Sequence, residues 1–228
     1  MTAISRLDST PMLKCERVVV GPFDANCWVL VGANDAAIVI DPGADSETIC
    51  RRLVTRKLHV AAYICTHGHM DHVSALADMQ RRYPAPVAMH PSDARWAFTS
   101  ANSMGSDYPP PDEATIERPI REGSTFTDAG IIWTVLETPG HTPGGVCIHI
   151  ADSRMLFTGD TLFAGSVGRT DLPGGNSRAL SASLKRIAGL PDNTTVYPGH
   201  GPETTIGEEK RSNYFLRSPL PQNERNTP

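Results

Sequence analysis

Cysteine is sparse in this 228-residue chain and wrongly spaced for a cysteine metal knot or a disulfide framework. Cys15, Cys27, Cys50, Cys65 and Cys147 are odd in number, scattered and mostly set in apolar stretches. Buried reduced thiols are the expectation. Charge is not in excess either: a net charge of −4 gives no general reason to bind nucleic acid or an anionic membrane. No run approaches the roughly 18 apolar residues of a membrane span, and MTAISRLDSTPMLKCERVVV lacks the continuous apolar centre of a secretory signal. The cytoplasm is therefore the expected compartment. With 39% apolar and 20% charged residues, the chain is long enough for one soluble domain with a substantial core.

What the chain does have is the stretch Val60 to His72, VAAYICTHGHMDH. Its first half is apolar and β-forming and reads as a buried strand; its second half packs His67, His69, Asp71 and His72 into six residues. The following HVSALADMQRRY has helical spacing, so the cluster falls where a strand turns into a helix. Imidazoles and a carboxylate at this density suit a divalent transition metal, and His-x-His sets two rings on one side of an extended loop. Three of the eight histidines fall within six positions, which argues against stray loop residues.

Taken in order, residues 1–14 read as a loose leader, 15–217 as one domain and 218–228 as a tail. CERVVV, CWVLVG and AAIVID are three closely spaced strands and predict an antiparallel start to a sheet. Asp41, in IVIDPG, is either a turn carboxylate or a brace behind the metal loop. SETICRRLVTRK predicts a helix capped by Ser46, with Ile49, Leu53 and Val54 as its apolar face. His90, after PVAM, and His149, in VCIHI, belong to no ligand pattern and read as structural. The Pro- and Ser-rich segment 99–119 has little periodicity and reads as a long loop, either a wall of a substrate site or a solvated excursion.

Three further motifs carry chemistry. His141 in TPGHTPGG, Asp160 in MLFTGDTLF and His200 in VYPGHG each follow an apolar run, so each should lie on a loop at a strand end. NSRALSASLKRIAGL reads as an amphipathic helix and TTIGEEKRSNYFLR as a short one with a threonine cap. Strands alternating with helices after the antiparallel opening predict an α/β fold in layers. Seven candidate ligands are too many for one four-coordinate ion.

THGHMDH resembles the His-x-His-x-Asp-His signature of the metallo-β-lactamase superfamily, and the later motifs resemble its glyoxalase II (hydroxyacylglutathione hydrolase) branch, short bacterial type, from about Val18 to Leu216. The resemblance implies an αββα sandwich of two mixed sheets flanked by helices. It assigns His67, His69 and His141 to one metal ion and Asp71, His72 and His200 to a second, with Asp160 joining them and Asp41 in support. Two divalent ions, zinc first with iron or manganese as alternatives, would share a water whose pKa falls toward ~7, beside Asp71 and Asp160 as the catalytic carboxylates. The implied activity is hydrolysis of a small thioester, S-(2-hydroxyacyl)glutathione. A thiolate, from a thiol of pKa near ~8.5, leaves without a dedicated acid, whereas an amide nitrogen needs protonation or metal stabilisation.

Arg169, in GRTD, stands where the family contacts glutathione, or is a structural loop arginine; Asp171 replaces a tyrosine of the longer enzymes. Only 28 residues follow His200, too few for the helical domain of those longer forms. The alternatives are a persulfide dioxygenase, with one iron on His67, His141 and Asp160, and a β-lactamase or other metallo-hydrolase. A metal-free binding scaffold is disfavoured by the complete ligand set. No nucleic-acid or membrane partner is expected, and nothing in the sequence speaks to oligomeric state.

Overall fold

β-Branched and alternating runs account for most of the long strands, and the computed structural model describes them within residues 13–217. The expected tail, and the leader up to residue 12, lie outside the described residues. In chain order the elements are β1 (Lys14–Val20), β2 (Ala25–Val31), β3 (Ala36–Ile40), α1 (Ser46–Arg56), β4 (His59–Ile64), α2 (Met70–Val73), α3 (Leu76–Arg82), β5 (Val87–Met89), α4 (Pro91–Ala94) and β6 (Arg118–Pro119). There follow β7 (Thr125–Asp128), β8 (Ile131–Glu137), β9 (Val146–Ile150), β10 (Met155–Gly159), β11 (Leu162–Phe163), β12 (Ser166–Val167), α5 (Ser177–Ile187), β13 (Thr195–Pro198), β14 (Thr204–Thr205), α6 (Ile206–Ser212) and α7 (Tyr214–Arg217).

Two six-stranded mixed sheets result, in the orders β1-β2-β3-β4-β5-β6 and β14-β13-β10-β9-β8-β7. The two-residue side-chain period explains why they stack. On β2 and β3, Trp28, Leu30, Ile38 and Ile40 face Trp133, Val135, Ile148 and Phe157 of the second sheet in one buried cluster. Cys27, Val29, Ala37 and Val39 point the other way, onto Ile49 and Leu53 of α1 and Leu76 and Met79 of α3. On the far side, Cys147 and Leu156 pack against Leu180, Leu184 and Ile187 of α5. The layers are helix, sheet, sheet, helix, as the resemblance implied.

Strand direction places the functional loops. β3 and β4 are parallel, so Asp41 and the His67–His72 loop leave sheet one by the same edge. β8 and β10 are both antiparallel to β9, and β13 is parallel to β10, so the loops bearing His141, Asp160 and His200 leave sheet two by one edge as well. The edges are tied together: the Asn26 side-chain amide and the Trp28 indole both donate to Pro198 O, at 2.9 and 3.0 Å, and Val146 N donates to Thr66 O at 2.8 Å.

Several local expectations are corrected. The buried face of α1 is Ile49, Cys50 and Leu53, while Val54 is 66% exposed. Its N-cap is Asp45, whose carboxylate accepts from Gly21 N instead of capping the helix; Ser46 donates to Asp78. The helix expected from His72 is broken in two because Ala75 N leaves the helical ladder to bond Pro42 O. Segment 99–119 contains a 3-10 turn at Ser100–Asn102 and ends in β6; this strand and the β11–β12 hairpin are too short to show a period. Lys14 already belongs to β1. The cysteines are free as expected, with Cys27, Cys50, Cys65 and Cys147 buried. Among the described residues no helix is long and apolar enough to cross a membrane.

Phe157 is fully buried between the sheets, its ring 4.8 Å from Tyr197 and 6.2 Å from Trp28. Phe157→Ala should lower unfolding free energy by about 3–5 kcal/mol, read from urea unfolding; a change below ~1 kcal/mol would contradict this packing.

Candidate metal centre

The loop after β4 is held by one buried carboxylate. Asp41, at φ +52°, sits in the left-handed region that a short polar side chain tolerates, directly after β3. It accepts from Thr66 N at 2.7 Å, from Thr66 Oγ1 at 2.6 Å and from His72 Nδ1 at 3.1 Å. Because Thr66 Oγ1 gives its proton to Asp41, it accepts from His67 Nδ1, 3.1 Å away. Both imidazoles thus donate from Nδ1 and turn Nε2 toward the cluster, where that of His67 has no hydrogen-bond partner.

Two side chains not singled out by sequence complete the clamp. Asp93, on α4 and fully buried, accepts from Gly68 N (2.9 Å), Thr142 Oγ1 (2.6 Å) and Gly144 N (2.7 Å), so it joins the His67–His69 loop to the His141 loop. Asn102 donates to Gly68 O at 2.8 Å and accepts from Met70 N at 3.1 Å. Their only signal in the chain is a polar residue without a turn role, which many surface positions share. His90 N-caps α4 and meets Glu137 at 3.0 Å, a structural role, and His149 lies within β9.

The second sheet brings its three groups to the same point. His141 donates from Nδ1 to Arg169 O at 2.8 Å, which turns its Nε2 inward, 2.8 Å from His69 Nδ1. His200 Nε2 lies 3.3 Å from both His72 Nε2 and Asp71 Oδ2. Asp160 stands between the two sets: Oδ2 is 3.4 Å from His141 Nε2, and Oδ1 is 3.4 Å from His72 Nε2. A Cβ at Gly199 would come within 2.2 Å of Asp160 Oδ1, so only glycine allows this approach. All seven expected ligands are brought together.

The donor set fits divalent metal. His67, His69 and His141 form one group whose ligand atoms lie within 4.8 Å of one another, and Asp71, His72 and His200 form another. Asp41, His67 and His72 satisfy the same distance, but the Asp41 oxygens are already occupied by Thr66 and His72. His67 Nε2 and Asp160 Oδ1 are buried with no hydrogen-bond partner, a cost of about 1–3 kcal/mol each that a cation would remove. Burial and the neighbouring rings, His72 and His141 first, hold His67 far below its usual pKa; burial and His141 bring His69 down to about 4. These rings are neutral, the form that binds metal. Burial would raise Asp71 and Asp160, but His72 and its neighbours outweigh it and hold both carboxylates low. Burial would likewise lower His72 and His200, yet the carboxylates raise both. The carboxylates draw positive charge to this point, whether as protons or as a cation.

Over the cluster lies a cavity of about 690 Å³. Trp96, Ala101–Met104, Leu172 and Pro173 are among its walls, so part of segment 99–119 forms a side of it. Arg169 also lines it, with its guanidinium paired to both Asp171 oxygens at 2.7 Å and its carbonyl holding His141.

Asp41→Asn keeps the volume but removes the acceptor charge behind two rings. It should weaken zinc binding about 10–100-fold in competition with a chromophoric chelator; unchanged affinity would reduce Asp41 to a turn residue.

A family model described as the metallo-beta-lactamase superfamily matches residues 20–200. The chain is 35% identical to a probable metallo-hydrolase, YqgX, of Bacillus subtilis, covering 90% of this chain and 98% of that one. It is 32% identical to the hydroxyacylglutathione hydrolase GloC of Haemophilus influenzae, covering 90% and 99%. Among solved structures it is similar to the BLEG-1 B3 metallo-beta-lactamase (TM-score 0.86, 34% identity, 90% and 100% covered) and to TTHA1623 in a di-iron-bound form (0.78, 40%, 88% and 99%). ETHE1 from Myxococcus xanthus is also similar (0.72, 28%, 89% and 84%). With the family model matched over most of its length and relatives above 30% identity aligned nearly end to end, this chain belongs to the metallo-β-lactamase superfamily.

Proposed function

We propose that this metallo-hydrolase superfamily member is a binuclear thioesterase acting on S-(2-hydroxyacyl)glutathione or a similar small thioester. The observation that carries the binuclear reading is Asp160, with one oxygen on each side between the His141 and His72 groups. His67, His69 and His141 would hold one ion, Asp71, His72 and His200 the other, and Asp160 both. When bound, such a pair supplies Lewis acidity and a water that ionises near neutral pH.

The chain's own residues do the rest. Asp41, through Thr66 and directly, and the Arg169 carbonyl engage Nδ1 of His67, His72 and His141 and so direct Nε2 of each toward the proposed ions. Asp93 and Asn102 hold the loops in register. Apart from the proposed ligands, Arg169 is the sole titratable side chain lining the main cavity among the described residues, so none stands ready to protonate an amine leaving group. A thiolate needs no such donor. That favours a thioester over a lactam, and the likeness to a relative named hydroxyacylglutathione hydrolase supports the same choice. Zinc is the first choice of metal; the likeness to a di-iron-bound structure keeps iron in view.

A second reading, a persulfide dioxygenase with one iron on His67, His141 and Asp160, draws on the GRTD run at 168–171 and on the likeness to ETHE1. Metal analysis combined with assays on S-lactoylglutathione, nitrocefin and glutathione persulfide separates these readings. The expected result is two ions per chain and thioester turnover; one iron with oxygen consumption on the persulfide would replace the hydrolase assignment. Asp160→Ala should cost more than the roughly hundredfold typical of an outer partner and should lower metal content. Undiminished turnover would remove its bridging role.

A further inference from the structure

A second cavity, of about 380 Å³, adjoins the metal centre and is not used by the proposed mechanism. That volume is within the roughly 300–1,000 Å³ range of small-molecule sites. Phe23, Met70 and Asp71 line both cavities, so the second begins at the edge of the metal cluster. Its remaining wall is largely apolar, with Pro22 from the β1–β2 turn, Ala44 from the β3–α1 connection and Tyr108 and Pro110 from the 107–112 segment. The Phe23 and Tyr108 rings stand 5.3 Å apart, and Phe23 is 37% exposed.

The two spaces differ in their polar lining. The second cavity is lined by Asp71, Asp107 and Asp112, with no Lys, Arg or His among its described lining residues. Asp112 meets Arg81 at 3.7 Å, outside the lining, and Asp107 has no basic partner within ion-pair distance among the described residues. Arg169 is the one basic group on the main cavity besides the histidines of the centre. The polar thiol carrier of a substrate fits the larger main cavity, where Asn102, Ser103, Arg169 and the histidines offer hydrogen-bonding groups, while an uncharged apolar end gains by leaving water in the second.

We propose that the second cavity is an acyl subsite: a thioester lies with its carbonyl at the metal centre, its thiol carrier in the main cavity and an uncharged aliphatic acyl chain past Phe23 and Met70. This deepens the thioesterase reading and rests on it for the naming of the two ends. Beside the small hydroxyacyl thioesters, the site then takes longer aliphatic acyl thioesters in preference to an acetyl one.

Calorimetry with the metal-loaded protein and non-hydrolysable S-alkyl-N-acetylcysteamine thioethers, methyl to octyl, tests the subsite without turnover. Octyl should bind at least about tenfold more tightly than methyl, a small part of what full burial of the added methylenes would give. In Ala44→Phe, and independently in Pro110→Trp on the opposite wall, the octyl-to-methyl ratio should fall below about threefold. The kcat/KM ratio for octanoyl over acetyl N-acetylcysteamine thioesters should collapse in parallel. No chain-length gradient in the unmodified protein, or a gradient that survives in both folded variants, overturns the subsite. A gradient in binding without hydrolysis of any thioester would leave the subsite standing and defeat the thioesterase reading instead.

Discussion

The site depends on one buried carboxylate that faces away from the reacting atoms. Asp41 accepts three hydrogen bonds, and through them sets the tautomer of two imidazoles on either side of the same loop, one directly and one through a threonine hydroxyl. A histidine whose wrong nitrogen carried the proton would aim a donor at a cation. The unusual backbone of Asp41, left-handed directly after a strand, is what turns the carboxylate back under that loop. Local strain is thus held at the place where geometry matters most.

Around that brace, the two sheets act as a jig. Each loop that bears an expected ligand leaves a strand at one edge of the sandwich, and polar ties between the sheets stop the edges from sliding. Fully buried Trp28 takes part in both roles: its ring packs between the sheets, and its indole N–H holds the backbone just before His200. Stability and site geometry share that residue. The centre also sets buried carboxylates among imidazole nitrogens and leaves His67 Nε2 and Asp160 Oδ1 without hydrogen-bond partners. A divalent ion would satisfy both, because it accepts nitrogen and oxygen ligands together.

Much of this was legible along the chain. His67, His69, Asp71 and His72 announce themselves by density, and the loops of His141, Asp160 and His200 by their glycine-rich turns after apolar runs. Long strands such as β2 and β3 were legible because burial on both faces leaves an apolar run. Asp93 and Asn102 were not, since a clamp such as Asp93, which reaches Thr142 across 49 residues, leaves no local period. The exposed Val54 on α1 shows the same limit: spacing alone put Val54 on the apolar face, whereas Cys50 joins Ile49 and Leu53 there in the packed helix.

By itself, then, the sequence determined the donor types, their loops and the layered fold, because helix and strand periods and glycine turns are short-range properties. Only the tertiary structure decided that groups from two sheets meet, with His69 and His141 at 2.8 Å across 72 residues and Asp160 between the two sets. It also decided that Arg169 is paired with Asp171 and that a second, largely apolar cavity adjoins the centre. These depend on strand direction and on which surfaces face each other, which arise from contacts between distant segments and are written in no single stretch of the chain.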